Sequence, residues 1–422
     1  MADLKPSKEL TQFLPQLSLS ERDRRWKALR EKMAMRGLNC LLLWSNDLFY
    51  GMAMANFRYL THCASMGSAY AIFPLDGKPL VFMSTPHQNV PYHASVGAQD
   101  WIDEIRPMLR MDALTKLLKE MGYGGGRIGV VGFGSYLVPE NISYKAYTQL
   151  LKGLPDAEIT DQTVLVEEMR LIKSPEEIGM LERSGVITRK SLEAMVESAH
   201  VGARECEVWA EMMRAQVANG GEPHIFNLFT SGNVAEDSGV LQRVVHGARP
   251  PLAPTTRVLR EGDLLICEIH GCYGGYLTAA EFSVFIGKPP KQLRELHKVA
   301  AECVERGFEK FQPGVTLREL LEAIRKPAKE AGFDYIELGF HGHGLASPEF
   351  PTIVYKTGAG MLSGDGIGDF ELRPGMVFGT NTDIQDPGWR SDVGVMLGDT
   401  ILVTERRPKR LVNTPTELPC VL

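Results

Sequence analysis

Arg257-Val-Leu-Arg-Glu-Gly-Asp-Leu-Leu265 opens the stretch of sequence that decides the fold, and Tyr273-Gly-Gly-Tyr276 continues it. This stretch lies in a strand-rich piece that runs from 254 to 287, and a second strand-rich piece runs from 339 to 404. Four long helical patterns lie before and between the two pieces, at about 175–198, 203–219, 290–311 and 316–331. Helices on one side of antiparallel strands make an α+β domain, and we expect one here.

Capping residues mark where several of these helices begin. Thr316 and Glu319 form a capping-box pair after Pro313-Gly314, and Ser18 and Glu21 form the same pair at the start of an earlier helix. Gly37 is expected to end that earlier helix.

The first part of the chain alternates helical and strand patterns. Apolar runs at 38–44, 69–73, 79–83 and 127–132 indicate strands, and Asp76-Gly77 between two of them favours a tight hairpin turn. The sequence therefore predicts a small mixed α/β domain.

The domain boundary is expected near residue 165. The stretch 163–166 is rich in β-branched residues and predicts one last short strand, after which the long helices begin. We therefore place an N-terminal domain at 1–164 and a C-terminal, catalytic domain at 165–422.

Composition excludes several classes of protein. Hydrophobic residues make up 44% of the 422 residues and charged residues 23%, which is ordinary for a globular protein. The formal net charge of −6 argues against a nucleic-acid partner. No apolar run reaches the roughly 18 residues of a membrane span, and the first residues contain no signal-peptide core. The seven cysteines form no Cys-x-x-Cys pair, so we expect reduced thiols and a cytoplasmic location.

Several motifs together resemble the creatinase, aminopeptidase P and prolidase superfamily. The resemblance spans most of the chain and implies that family's pita-bread fold for the second domain and a creatinase-like first domain. Besides the opening stretch, the motifs are Asn56-Phe-Arg-Tyr-Leu-Thr61, Met169-Arg-Leu-Ile-Lys-Ser-Pro-Glu-Glu-Ile178, Gly342-His-Gly-Leu345, Leu372-Arg-Pro-Gly-Met-Val-Phe378 and Asp399-Thr-Ile-Leu-Val-Thr-Glu405.

The resemblance also implies where a metal centre would lie. The metallopeptidases of this superfamily hold two divalent cations with two Asp, one His and two Glu, which activate a bridging water. Carried over in order, these positions fall on Glu268, Ala279, His343, Asn381 and Gly398. A methyl group or a hydrogen cannot bind a metal, so we expect no dinuclear centre and no cofactor. A single ion at Glu268 and His343 stays open.

One segment is similar to the metal-independent creatinase branch. Tyr276-Leu-Thr-Ala-Ala-Glu-Phe-Ser-Val-Phe285 looks like the creatinase strand that carries Thr-Ala-Leu-Glu in place of the metal-binding Asp. The resemblance implies that Glu281 binds a cationic group of the substrate. A carboxylate in an apolar strand is costly unless it is paired, so pairing with a protein group is the alternative.

Two histidines are predicted to be catalytic together with Glu281. His246 lies in a turn-rich loop at the place where the resemblance puts the proton shuttle, and His224 is its competitor. His343 lies in a Gly-His-Gly turn, where the backbone can approach a ligand closely.

A further set of residues is expected to bind the substrate. By resemblance, Phe57 and Arg58 reach into the site of a second subunit, which implies a homodimer, and a guanidinium suits a substrate carboxylate. The full set is Phe57, Arg58, Glu268, Tyr276, His341, Glu349 and Asn381.

The favoured function is therefore a metal-independent, creatinase-like hydrolase of a C–N bond, amidine or amide, in a small polar substrate. The alternatives are an Xaa-Pro metallopeptidase, a lyase of a small charged substrate similar to dimethylsulfoniopropionate lyases, and a non-catalytic pseudo-peptidase. The glycine-rich segment 358–368 lacks the Gly-Lys-Ser/Thr of a phosphate-binding loop and predicts only a loop over the site. No membrane or nucleic-acid partner is expected.

Overall fold

The computed structural model describes residues 14–46, 52–64, 67–83, 100–133, 142–222, 227–234, 254–355, 367–390 and 392–422. The chain divides into two compact units, Met1–Arg170 and Leu171–Leu422.

The first unit is built on a six-stranded sheet with the strand order β4-β3-β2-β1-β5-β6. Its strands are β1 (Cys40–Ser45), β2 (Ala69–Pro74), β3 (Leu80–Met83), β4 (Ile105–Pro107), β5 (Arg127–Val131) and β6 (Glu158–Asp161). Its helices are α1 (Leu19–Met35), α2 (Ala55–Thr61), α3 (Met111–Glu120), α4 (Tyr144–Gly153) and α5 (Thr163–Arg170).

Local sequence signals explain several of these elements. Glu21 donates its backbone N–H to the Ser18 hydroxyl at 3.1 Å, so α1 begins at the predicted cap. The β2–β3 pair is antiparallel, and Gly77 between the strands has a φ of +105°, which suits glycine at the predicted turn. Leu114, Leu118 and Leu150 of α3 and α4 pack in the same core as side chains of β1, β2 and β5.

The short strand predicted at 163–166 is wrong, because these residues begin α5. Asp161 accepts hydrogen bonds from the backbone N–H and the hydroxyl of Thr163, the first residue of the helix, in the manner of an Asx turn. Thr163, Val166 and Arg170 are buried at helical spacing. This packing overrides the strand preference of β-branched residues.

The second unit contains long helices and two sheets with the strand orders β16-β9-β8-β7 and β11-β10-β12-β14-β15, with β13 paired to β12. Its helices are α6 (Pro175–Ser198), α7 (Glu205–Ala218), α8 (Lys291–Lys310) and α9 (Leu317–Ala331). Its strands are β7 (Leu228–Asn233), β8 (Asp263–Tyr273), β9 (Tyr276–Ile286), β10 (Asp334–Gly342), β11 (Glu349–Tyr355), β12 (Val377–Gln385), β13 (Gly394–Met396), β14 (Thr400–Leu402), β15 (Lys409–Arg410) and β16 (Cys420–Val421).

Helices cover one side of each of the main strand pairs. The hydroxyls of Ser184 and Thr188 on α6 contact Thr278 on β9 at 3.0 and 2.7 Å. Apolar side chains of α8 and α9 pack in one core with Phe340 of β10 and Phe378 of β12. The opposite faces of the two strand pairs are thereby left for the polar side chains described below.

The described helices include none with the length and apolar character of a membrane span. All seven cysteines are free thiols.

A buried histidine on α8 makes a testable contribution to acid stability. His297 is 3% exposed, its Nε2 has no hydrogen-bond partner among the described residues, and burial lowers its pKa to about 4. The unfolded chain then binds the extra proton first, so stability is lost as the pH falls below the unfolded pKa.

We expect protonation of His297 in the unfolded chain to lower the free energy of unfolding by about 2 kcal/mol when the pH is lowered from 7.5 to 5. Urea unfolding at the two pH values measures this loss. In His297→Leu the free energy of unfolding should fall less between pH 7.5 and pH 5 than it does in the parent protein. An unchanged pH dependence in the variant would contradict the assignment.

Candidate active site

The polar face of the β8–β9 pair carries the first half of the candidate site. The register sets Glu268 opposite Glu281 and His270 opposite Ala279. Directly opposed residues of antiparallel strands lie on the same face of the sheet, so these four positions share one face. Tyr276 is offset from Glu281 by an odd number of residues and lies on the other face, where its hydroxyl donates to Glu177 Oε1 at 3.0 Å.

The β10–β12 pair carries the second half. Its register sets Gly339 opposite Asn381 and His341 opposite Gly379, and Asp383 follows on the same face by alternation. The two halves meet at Glu281. Asn381 Nδ2 donates to Glu281 Oε1 at 2.9 Å, and the Thr382 backbone N–H donates to Glu281 Oε2 at 2.7 Å.

The carboxyl groups at this meeting point are held in an environment that favours protonation. Burial and the neighbouring Asp383 raise the pKa of Glu281 well above its ordinary value. Burial, Glu337 and Glu268 likewise raise the pKa of Asp383, which is hydrogen-bonded to Glu281. Buried carboxylates in contact cannot all ionise, so Glu281 and Asp383 hold at least one proton between them at neutral pH.

Three histidine rings lie beside one another at the end of β10. The ring of His343 lies 4.7 Å from that of His341 and 6.0 Å from that of His270, measured between centroids. Burial, His341 and His270 lower the pKa of His343 well below its ordinary value, and burial lowers the pKa of His341 to about 4. Both imidazoles are therefore uncharged at neutral pH.

A serine links two of these rings. Ser347 Oγ lies 3.0 Å from His270 Nε2 and 3.2 Å from His343 Nε2, and His343 Nδ1 lies 3.4 Å from the Leu277 carbonyl oxygen. Gly379 makes room for this arrangement, because a Cβ there would lie 2.2 Å from His343 Nε2. These contacts fix the orientation of the His343 ring.

Glu349 is engaged by a buried cation. Lys173 Nζ lies 3.1 Å from Glu349 Oε2, and the Ala346 backbone N–H donates to Glu349 Oε1 at 3.0 Å. Both side chains are almost fully buried. Glu349 therefore stabilises the turn that follows His343.

The structure brings together Glu268, Glu281, His341, His343 and Asn381 from the predicted set. Phe57 lies on α2 of the first unit and is completely buried there, and Arg58 beside it is partly exposed. His246 and its competitor His224 lie outside the described residues.

Sequence reasoning missed His270, Ser347 and Lys173. His270 could have been found, because it lies two residues after Glu268 in a strand and must share its face. Ser347 and Lys173 carry no such signal, since neither lies in a strand with a site residue and their contacts to His270 and Glu349 join residues 77 and 176 positions apart.

The five positions that the resemblance assigns to two metals do not fit such a centre. Ala279 and Gly398 offer no ligand atom, and a Cβ at 398 would lie 2.1 Å from the Thr380 carbonyl oxygen and 3.2 Å from Glu281 Oε2. Asn381 turns its donor group, not its oxygen, toward Glu281. The described residues include no group of three or more His, Cys, Asp or Glu arranged to hold a metal ion.

Known proteins resemble this chain over nearly its whole length. Residues 179–405 match the Metallopeptidase family M24, and residues 25–172 match the Creatinase/Prolidase N-terminal domain. An Xaa-Pro dipeptidase of Pyrococcus furiosus is 30% identical over 294 residues, which cover 69% of this chain and 75% of the relative.

Solved structures show the same architecture. The prolidase of Pyrococcus horikoshii superposes with a TM-score of 0.72 at 22% identity, covering 94% of this chain and 99% of that one. An X-Pro aminopeptidase of Thermotoga maritima gives a TM-score of 0.73 at 18% identity, with coverage of 94% and 99%. The predicted two-domain architecture, a creatinase-like α/β domain followed by a pita-bread domain, is confirmed.

These relatives correct the functional expectation. The favoured prediction of a metal-independent, creatinase-like hydrolase is wrong, because the matching relatives bear the name Xaa-Pro dipeptidase. The residues at the metal positions are similar to those of creatinase, and the prediction rested on them. The chain as a whole is similar to prolidases. The broader prediction of a hydrolase acting on a C–N bond is confirmed. The chain belongs to the Metallopeptidase family M24 and carries that family's creatinase/prolidase N-terminal domain.

Proposed function

We propose that this chain hydrolyses the C–N bond of small Xaa-Pro peptides, Xaa-Pro dipeptides in the simplest case. One observation carries the proposal: Glu281 of the β8–β9 pair is buried and hydrogen-bonded to Asn381 and Thr382 of β12, on the face that also carries Asp383 and His341. Burial there raises the pKa of the carboxyl groups and lowers that of the imidazole. The names of the Xaa-Pro dipeptidases of Pyrococcus furiosus and Pyrococcus horikoshii support the substrate class.

The Glu281–Asp383 pair supplies the acid. Breaking the bond before proline releases a secondary amine, which is a poor leaving group unless its nitrogen is protonated. The proton shared by Glu281 and Asp383 is available for that nitrogen. Asn381 and the Thr382 N–H hold the carboxyl group of Glu281 in place while it gives up the proton.

A histidine supplies the base. The uncharged imidazole of His341 takes a proton from the attacking water, whose oxygen bonds to the carbonyl carbon. His343, whose two ring nitrogens contact Leu277 and Ser347, positions the neighbouring ring. The C–N bond then breaks, the amine leaves with the proton from the carboxyl pair, and the carboxylic acid product remains. Environments that separate the pKa values of acid and base in this way are typical of active sites.

Hydrolysis of alanylproline tests the substrate class. We expect the purified protein to cleave alanylproline and to leave alanylleucine, the matched dipeptide without proline, intact. The assay follows release of proline, in chelator-treated buffer and again with added Mn²⁺. Cleavage of alanylproline in either buffer supports the proposal, and failure to cleave any Xaa-Pro dipeptide in both removes it.

Elemental analysis of the same protein tests the ligand positions independently of activity. Because Ala279, Asn381 and Gly398 cannot supply the usual ligands, we expect well below the roughly two ions per chain of a dinuclear centre. A stoichiometry near two after dialysis would show that other residues complete the centre.

Two further properties belong to the proposal. Seven unpaired thiols suit a reducing compartment, which supports a cytoplasmic location. The homodimer, with Arg58 reaching a second subunit, rests on the resemblance of residues 56–61 to creatinase-like dimers.

A further inference from the structure

A cavity of about 870 Å³ lies between α3 and α4 in the first unit, far along the chain from the candidate active site. We call it the α3–α4 groove. Its lining residues are Arg110, Met111, Asp112, Thr115, Lys116, Lys119, Lys145, Gln149, Lys152 and Gly153. At the floor the helices approach closely, because a Cβ on Gly153 would lie 2.5 Å from Thr115 Cγ2. The volume falls within the range of small-molecule sites, about 300–1,000 Å³.

The groove concentrates positive charge on a chain that is negative overall. Five of its lining residues are cations and Asp112 is its one acid, a formal charge of +4 in a protein of −6. The apolar faces of the same helices point inward through Leu114, Leu118 and Leu150. The lysines therefore form two stripes that border one cavity, and like charges facing each other repel.

The protein itself does little to neutralise these cations. Arg110 Nε lies 3.7 Å from Asp112 Oδ1 and Lys116 Nζ lies 3.8 Å from Glu120 Oε1, and all four side chains are largely exposed. Pairs of this kind contribute little. Lys119, Lys145 and Lys152 form no ion pair with any described residue.

Two of the cations lie where helix electrostatics disfavour them. Arg110 is the N-cap residue of α3, and Lys145 is the second residue of α4. The N-terminus of a helix carries a partial positive charge, so a cation there is unfavourable and an anion is favoured. An anion bound in the groove would relieve both conflicts.

We propose that the α3–α4 groove binds a compact polyphosphate anion. Lysine is a point-charge ligand for phosphate, and Lys145 and Lys152 are separated by about 10 Å along α4, which exceeds the size of one phosphate group. The lining contains no aromatic side chain on which a base could stack. The groove therefore recognises the phosphate chain, whether it comes from inorganic tripolyphosphate or from a nucleoside triphosphate.

Calorimetric titration of the full-length protein with inorganic tripolyphosphate tests the proposal. At about 50 mM salt we expect saturable binding that weakens strongly at about 300 mM, because exposed charge pairs are screened. Lys145→Gln with Lys152→Gln should weaken binding about ten-fold or more, equivalent to about 1.4 kcal/mol. The matched control, Lys298→Gln with Lys326→Gln on α8 and α9, removes the same charge elsewhere and should change affinity less than about two-fold.

The other outcomes are equally decisive. ATP and GTP binding within about three-fold of tripolyphosphate supports recognition of the phosphate chain. A preference of about ten-fold for one base, tighter binding of a DNA oligonucleotide through the same lysines, or an equal loss in the control overturns the proposal. Substitution of exposed lysines leaves folding within about 0.5 kcal/mol, so loss of binding reports on the groove. The result is independent of peptide hydrolysis.

Discussion

Replacing Glu281 with glutamine is expected to lower kcat/KM for alanylproline by about 10²–10⁴-fold. Glutamine keeps the shape of the side chain, but its amide cannot deliver the proton that Glu281 shares with Asp383. The steady-state rate of proline release measures the effect. Circular dichroism should show an unchanged fold, because the replacement removes a buried ionisable group without removing volume.

The pH profile separates loss of the proton from simple disturbance of the pocket. The acid must be protonated to act, so the parent enzyme should lose activity as the pH rises through the raised pKa of the carboxyl pair. The residual activity of Glu281→Gln should lack this alkaline decline.

Ser283 provides a matched control on the same strand face. Among the described residues, its hydroxyl is bonded only to backbone groups of Met396 in β13, at 2.9 and 3.0 Å, so Ser283→Ala disturbs strand packing and leaves the carboxyl pair intact. We expect its activity to stay within a few-fold of the parent. Comparable losses in Glu281→Gln and Ser283→Ala, or near-parent activity in Glu281→Gln, would remove Glu281 from the mechanism.

The fold could be predicted where the sequence encodes it locally. The predicted helix 316–331 begins at the Thr316–Glu319 capping box, which the structure forms, and α6 spans the predicted 175–198. The strand predicted at 163–166 is wrong because Thr163, Val166 and Arg170 are buried at helical spacing, and that packing involves residues beyond the four whose β-branching favours a strand.

The candidate site could be predicted only in halves. Period-two alternation sets Tyr276 apart from Glu281, and the two-residue turn between Tyr273 and Tyr276 adds the register that places Glu268 opposite Glu281. The bond from Asn381 to Glu281 joins residues 100 positions apart, and no local pattern encodes it. Burial and the neighbouring Asp383 raise the pKa of Glu281, whereas the bonds from Thr382 and Asn381 lower it. Asp383 lies on another strand pair, so the sequence predicts a cation-binding carboxylate at Glu281 and does not encode the contacts that favour its protonation.

Replacing Asp263 with alanine is expected to lower the unfolding free energy by about 3–5 kcal/mol. Asp263 is fully buried at the start of β8. Its carboxylate accepts hydrogen bonds from both terminal nitrogens of Arg257, at 2.8 and 2.7 Å. It also accepts the Arg260 backbone N–H at 2.8 Å. Alanine leaves the Arg260 backbone N–H without this acceptor, and it leaves a mostly buried guanidinium with the uncharged Ser231 hydroxyl at 2.9 Å but without its counter-charge. That desolvation cost is larger than the loss of an exposed ion pair.

Urea unfolding measures this effect against an exposed pair of similar geometry. Glu302 and Arg306 lie 2.9 Å apart on α8 with both side chains about half exposed, so Glu302→Ala should cost less than about 1 kcal/mol. The double variant Arg257→Met with Asp263→Leu should recover much of the stability lost in Asp263→Ala, because it removes the orphaned charge together with its partner. If Asp263→Ala is no more destabilising than Glu302→Ala, the motif at the start of β8 is not held together by its ion pair.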